Sequence, residues 1–341
     1  MPLPGIRIEE LACVWSDCSH SLSGSGLGSL APATLRSNPS NWLCNPMLRW
    51  RLAISLILIP LLALLFYADA KSGPMAIGLF VLCSLLALRA AWELIDLFRS
   101  RLPQLHGGLL LSSICAIVYA AWWPHFASPE EMANKTDVSG LTMTFVGCQL
   151  LIMAAAARRF DAPGQHMATL ATEWMILAYV GLFLGLSAQL RWVAGHDAGY
   201  LAIGSLVICV KGGDTGAYTF GKLFGGPKMT PVLSPKKTWA GAVGAVLGST
   251  LFGLLWFLWA KPWFLHEKLT PTWWALLLYC MILGVAGIIG DLCESLIKRD
   301  LERKDSAPLL PGFGGLLDMI DSILFAGPVA YGLWQALPLF K

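Results

Sequence analysis

The chain has 341 residues, 56% of them hydrophobic and 13% charged, with a net charge of +3 and a mean hydropathy of +0.63. A soluble globular chain carries about twice that charged fraction, which excludes a soluble enzyme. Recurrent apolar runs are long enough to cross ~30 Å of hydrocarbon as helices, so an all-α polytopic membrane protein is expected, with no nucleic-acid partner.

Residues 1–46 are rich in Ser, Gly, Pro and Asn and contain no spanning run. They lack the basic start, apolar centre and small-residue cleavage site of a signal peptide. A disordered cytoplasmic extension is expected here, or an artefact of start-site choice with Met47 as the alternative beginning. Residues 47–200 then form N-terminal transmembrane helices, and 201–341 a region that carries the dense polar motifs.

About nine spans are predicted, near 52–68, 75–95, 107–123, 140–157, 168–190, 199–220, 238–260, 272–290 and 319–339. One set of connections carries Arg89, Arg99 and Arg101, then Arg158 and Arg159, then Lys222, Lys228, Lys236 and Lys237, then Lys298, Arg299, Arg303 and Lys304. Arg49 and Arg51 precede the first span on the same side, while the other side has Lys71, Lys135, Arg191, Lys261, Lys268 and Lys341, with Glu130, Glu131 and Asp137 among them. The positive-inside rule puts the N-terminus in the cytoplasm and, with an odd span count, the C-terminus outside. Trp122, Trp123, Trp263, Trp273 and Trp274 lie near span ends and are expected as interfacial anchors. The nine cysteines show no zinc-binding spacing and are expected to be unpaired.

Three polar motifs face the cytoplasmic side. Asp214-Thr-Gly-Ala-Tyr218 ends the sixth span, and Ser234-Pro-Lys-Lys-Thr-Trp239 leads into the seventh. Between the eighth and ninth lie Asp291, Glu294, Ser295 and Lys298, then Lys304-Asp305 and Pro311-Gly-Phe-Gly-Gly-Leu-Leu-Asp318-Met-Ile-Asp321. On a helix Asp291, Glu294, Ser295 and Lys298 share one face. If the last two spans are antiparallel neighbours, Asp291 and Asp318 converge at one depth. Two hard carboxylates with phosphate oxygens and waters suit magnesium. Lys236, Lys237, Lys298, Arg299 and Lys304 then supply the positive charge a triphosphate requires, with Ser234 and Thr238 as neutral donors. A lone Glu173 in the fifth span is expected to be a structural hydrogen-bonded acid, and Glu93 to cap its helix or pair with Arg89 or Arg99.

The run Ser295-x-Ile-Lys-Arg-x4-Lys304-Asp305-x-Ala-x2-Leu-Pro-Gly-x-Gly-Gly-Leu-x-Asp318-x-Ile-Asp321 resembles the C-terminal signature of phosphatidate cytidylyltransferases, also called CDP-diacylglycerol synthases. The Asp214 and Ser234 blocks look like that family's two upstream motifs, in the right order. Two positions depart from the pattern: Phe313 stands where the family usually has His, and Met319 where it has Arg.

The resemblance implies transfer of CMP from CTP to phosphatidic acid, with pyrophosphate released. It implies Mg2+ held by Asp291 and Asp318, Asp321 nearby, and a second cation such as K+. Lys298, Lys304 and Asp305 are then candidate catalytic residues beside these three acids. Asp214, Ser234, Lys236, Lys237, Thr238, Ser295 and Arg299 are candidate substrate-binding residues, with Asp214 either a metal ligand or a group that orders the lysines. A homodimer in a bacterial inner membrane, its active site facing the cytoplasm, is expected. Two alternatives stand beside this: a related CTP-dependent enzyme acting on another lipid, of the CDP-archaeol synthase or polyprenol kinase type, and an ion-coupled transporter whose intramembrane acids carry ions.

Overall fold

In hydrocarbon a backbone must satisfy its own hydrogen bonds, so long apolar runs fold as helices. The computed structural model describes residues 46–132, 135–195, 198–264, 270–307 and 314–340. Its long helices follow the apolar runs: α1 (Pro46–Lys71), α2 (Ile77–Arg99), α3 (Gly107–Ala127), α4 (Ser139–Arg158) and α5 (His166–Val193). They continue as α6 (Gly199–Phe224), α7 (Trp239–Phe264), α8 (Trp273–Asp300) and α9 (Leu317–Ala336). Within α5, Leu177–Leu182 widen into a π-helical turn. By length and composition, six of these helices suit a membrane crossing: α2, α3, α4, α5, α7 and α8. The apolar character of α6 is interrupted by Lys211 and Asp214, and that of α9 by Asp318 and Asp321. The expected 1–46 extension lies outside the described residues except for Pro46.

The fold is not wholly helical. Lys228–Thr230 (β1) pairs antiparallel with Ser234–Thr238 (β2), a short hairpin between α6 and α7. Pro227, Pro231 and Pro235 are the physical reason, since proline lacks the N–H and clashes inside a helix. The Trp239 N–H donates to the Pro227 carbonyl at 3.1 Å and closes the hairpin. Thr238 Oγ1 then accepts the Gly241 N–H at 3.1 Å, an N-cap for α7.

Helices α6 and α7 approach through glycine. A Cβ at Gly216 would lie 2.1 Å from the Gly244 carbonyl oxygen, and one at Gly248 2.5 Å from that of Gly212. Without a hydrophobic drive between helices in lipid, such close backbone approach is what holds a pair together. Helix α9 runs antiparallel to α8, touching it at Gly290 beside Ser322 and Phe325, and packs on α5 where Gly327 meets Ser187. Asn45–Lys341 thus form one compact unit around one apolar core.

At the end of the bundle remote from the hairpin, Asp69 accepts the Gly78 N–H at 2.6 Å and the Tyr200 hydroxyl. His125 stacks on Trp192 with centroids 3.5 Å apart. Trp122 is a correction: it is fully buried, and its indole N–H donates to the Ala76 carbonyl at 3.3 Å. Trp123, Trp263, Trp273 and Trp274 are exposed, as interfacial anchors require. Glu173 is buried and accepts the backbone N–H of His106 at 3.0 Å, a structural role as expected. The cysteines among the described residues are free.

Gly216→Ala should therefore push α6 off α7, costing about 1–3 kcal/mol, the usual range for overpacking. Gly147→Ala, whose Cβ meets nothing within 4 Å, should be neutral. Thermal melting of the two variants in detergent checks the difference.

Candidate active site

Where α6, α7, α8, α9 and the hairpin meet, they enclose a cavity of about 540 Å³. Lys211, Asp214 and Lys222 enter from α6, Lys236 and Lys237 from β2, Asp291, Glu294 and Lys298 from α8, and Asp318 and Asp321 from α9. Residues nearly 30 apart in sequence share one wall because α8 and α9 are antiparallel and cross at glycine.

Lys298 links the two helices. Its Nζ donates to Glu294 Oε2 at 2.6 Å and to Asp318 Oδ1 at 2.7 Å, with only 13% of the side chain exposed. The other oxygen of Asp318 accepts three donors: the Ser306 N–H and hydroxyl, both at 3.0 Å, and the Gly315 N–H at 2.7 Å. Asp318 is thus committed to bracing the signature loop and Lys298.

Glu93 of α2 braces the same loop from the other side. One oxygen accepts the Leu316 N–H at 2.9 Å and pairs with Arg89 at 3.0 Å. The second accepts the Ser306 hydroxyl at 2.8 Å and the Leu317 N–H at 3.0 Å. This explains the bare glycines: Gly314 has φ +84°, and a Cβ at Gly315 would lie 2.3 Å from Glu93 Oε2 and 2.0 Å from Ser306 Oγ. The expected pairing of Glu93 with Arg89 is present, while its reach to the start of α9 was not foreseen.

Asp291, Glu294 and Asp321 form an acidic cluster, each offering a carboxylate oxygen within 4.8 Å of the others. Lys237 Nζ lies 2.9 Å from Asp291 Oδ2. Glu294 Oε1 is buried without a hydrogen-bond partner among the described residues. A buried acceptor of this kind calls for a donor or a cation, and three hard oxygens suit a divalent ion with phosphate oxygens completing its shell. The donor set therefore fits a magnesium ion, with Asp321 and Glu294 beside Asp291 and with Asp318 outside the trio.

The cytidylyltransferase family model matches residues 49–337, most of the chain. This chain belongs to the cytidylyltransferase family. It is similar to the phosphatidate cytidylyltransferase of Staphylococcus epidermidis, 30% identical over 267 residues that cover 78% of this chain and 92% of that protein. The phosphatidate cytidylyltransferase of Staphylococcus aureus is 31% identical over 252 residues, 74% and 87% of the two chains. That of Brucella suis is 37% identical over 196 residues, 56% and 64% of the two chains.

Of the residues singled out in this cytidylyltransferase, the cavity gathers Asp214, Lys236, Lys237, Thr238, Asp291, Lys298, Asp318 and Asp321. Thr238 reaches it while its side-chain oxygen caps α7. Ser234, Ser295, Arg299, Lys304 and Asp305 do not line it. Arg299 is exposed in the last turn of α8, where its Nη1 donates to the Arg303 carbonyl at 3.0 Å, and Lys304 and Asp305 are exposed on the connection that follows. Asp214 pairs with Lys211 at 3.1 Å, the arrangement in which it orders a lysine. Phe313 lies outside the described residues. Lys211 and Ser306 were missed, and Glu93 was read only as a cap or local ion-pair partner. The available signal for Lys211 was a cation within an apolar run, and there was none for the serine.

Glu93→Ala would leave the Leu316 and Leu317 N–H groups without their acceptor and Arg89 without its ion-pair partner. Each buried N–H left without an acceptor costs about 1–3 kcal/mol, so a large fall in melting temperature in detergent is expected. Glu93→Gln, which retains one acceptor oxygen, should fall between wild type and Glu93→Ala.

Proposed function

We propose that the chain transfers the CMP group of CTP to the phosphate of phosphatidic acid, giving CDP-diacylglycerol and pyrophosphate. The observation that carries this is a single cavity in which an acidic trio lies beside lysines from α6, β2 and α8. Family membership and the names of the relatives favour phosphatidate over another lipid, and an enzyme over an ion-coupled transporter.

The nucleophile, a phosphate oxygen, is already anionic. It bonds to the α-phosphorus of CTP as the bond to the bridging α–β oxygen breaks, and pyrophosphate leaves with that electron pair. The barrier is the approach of one anion to another, so positioning and charge neutralisation supply the catalysis. Asp291, Asp321 and Glu294 would hold Mg2+, which neutralises phosphate charge when bound; a second cation such as K+ is compatible with the same wall. Lys222, Lys236 and Lys237 draw the triphosphate to the hairpin end of the cavity. Lys298, fixed between Glu294 and Asp318, presents its charge without reorganisation. Arg299 and Lys304, exposed outside the cavity, add positive charge that favours the approach of nucleotide, whereas Asp305 beside them does not.

The basic connections gather at the cavity end of the bundle: Arg101 pairs with Glu302 at 2.9 Å there, beside the loop that Glu93 braces. Together with the positive-inside rule this supports nine spans, α1 to α9, with the N-terminus and the cavity in the cytoplasm and the C-terminus outside. A bacterial inner membrane and a homodimer complete the proposal; CTP then arrives from the cytosol and phosphatidate from the bilayer.

Purified protein in detergent with CTP, phosphatidate and Mg2+ should form CDP-diacylglycerol, and EDTA should abolish turnover. Asp291→Asn and Asp321→Asn should each lower kcat by at least ~100-fold, beyond what loss of an outer partner of a metal costs, and should lose the Mg2+-dependent rise in melting temperature seen for wild type. No product with any divalent ion refutes the activity. For topology, a membrane-impermeant maleimide applied to spheroplasts in a cysteine-free background should label Glu130→Cys, and label Arg158→Cys only after lysis; the opposite pattern reverses the orientation.

A further inference from the structure

Lys211 is a cation that the three motifs do not contain, set in the apolar part of α6. An ionisable side chain at such a position is costly and usually has a function. Its Nζ donates to Asp214 Oδ2 at 3.1 Å and to the Met319 carbonyl oxygen at 3.1 Å. An ammonium has three protons to donate, and among the described residues no third acceptor engages this one. With 44% of its side chain exposed and the residue lining the cavity, the remaining N–H is available there.

Position along α6 sets Lys211 apart. Lys222 and Lys236 belong to the hairpin end and Lys237 reaches from it to Asp291 at 2.9 Å, while Lys211 precedes Lys222 by three turns of α6, roughly 16 Å further along that helix at 1.5 Å per residue. Beside Lys211 on α6, Val210 meets Gly287 and Gly213 meets Ala245, an apolar part of the wall. Among the α6 lysines of the cavity, Lys211 is the one set within the apolar run of the helix and Lys222 the one next to the hairpin.

We propose that Lys211 binds the phosphate monoester of the lipid substrate and that Asp214 and the Met319 carbonyl hold its ammonium in place to do so. This rests on the CMP-transfer activity proposed above. Met319 thus takes part through its backbone, and the positive charge at this end of the site comes from α6 and not from the side chain at 319.

Initial-rate kinetics in mixed micelles with the full chain test this. Lys211→Met should raise the KM for phosphatidate about tenfold to a hundredfold, the value of one charge-assisted hydrogen bond, and leave the KM for CTP within twofold. Lys211→Arg should recover most of the loss. An equal rise in the KM for CTP, or a lowered melting temperature with both KM values unchanged, overturns the assignment and leaves Lys211 a nucleotide contact or a tie between α6 and α9. Binding of fluorescent phosphatidate in micelles, without CTP, is measured in parallel. Should wild type form no product, the activity falls, and loss of this binding in Lys211→Met still decides the lysine's role.

Discussion

The site depends on one buried ammonium held between two helices. Lys298 lies between Glu294 of its own helix and Asp318 of the next, at 2.6 and 2.7 Å. A single buried charge would be expelled or neutralised, and two carboxylates alone would repel; the triad is stable only with all three members present. Because Asp318 is also bound by Ser306 and Gly315, the same residue ties both sides of the α8–α9 connection to the start of α9. Asp291, Glu294 and Asp321 face each other beside it as a trio.

Glycine makes the geometry possible. Gly216 and Gly248 let α6 and α7 meet backbone to backbone, and Gly290 does the same for α8 and α9. Side chains at these points would part the helices and separate the lysines of α6 and β2 from the acids of α8 and α9. Gly314 and Gly315 serve a different end, since two carboxylates approach the backbone there and leave no space for a Cβ. The chain thus surrounds a strongly polar cavity with helices whose other faces are apolar, the arrangement an enzyme needs when one substrate is aqueous and the other membrane-bound.

The helices were legible because lipid allows the backbone few alternatives, and the motif residues Asp291, Lys298, Asp318 and Asp321 were legible because charges beside apolar runs are rare. The hairpin at Lys228–Thr238 was not, although its three prolines were visible, since a short paired segment has no periodicity to announce it. Glu93 was seen only as a local partner of Arg89, because an i, i+4 pair accounts for an acid without any distant contact. Its second task joins residues more than 200 positions apart. Trp122 looked like an interfacial anchor from its place near a helix end, and packing buried it.

Hydropathy and charge spacing by themselves determined the membrane class, the helical runs and the set of ionisable residues from which a phosphate-handling site is built. Tertiary structure decided how those residues are used: which acids form the cluster, that Asp318 braces Lys298 and the loop, that Thr238 caps α7, and that Lys211 enters the cavity at all. The physical reason is that desolvation marks a charge as exceptional wherever it sits in an apolar sequence, whereas its partner is chosen by the crossing of helices far apart in the chain.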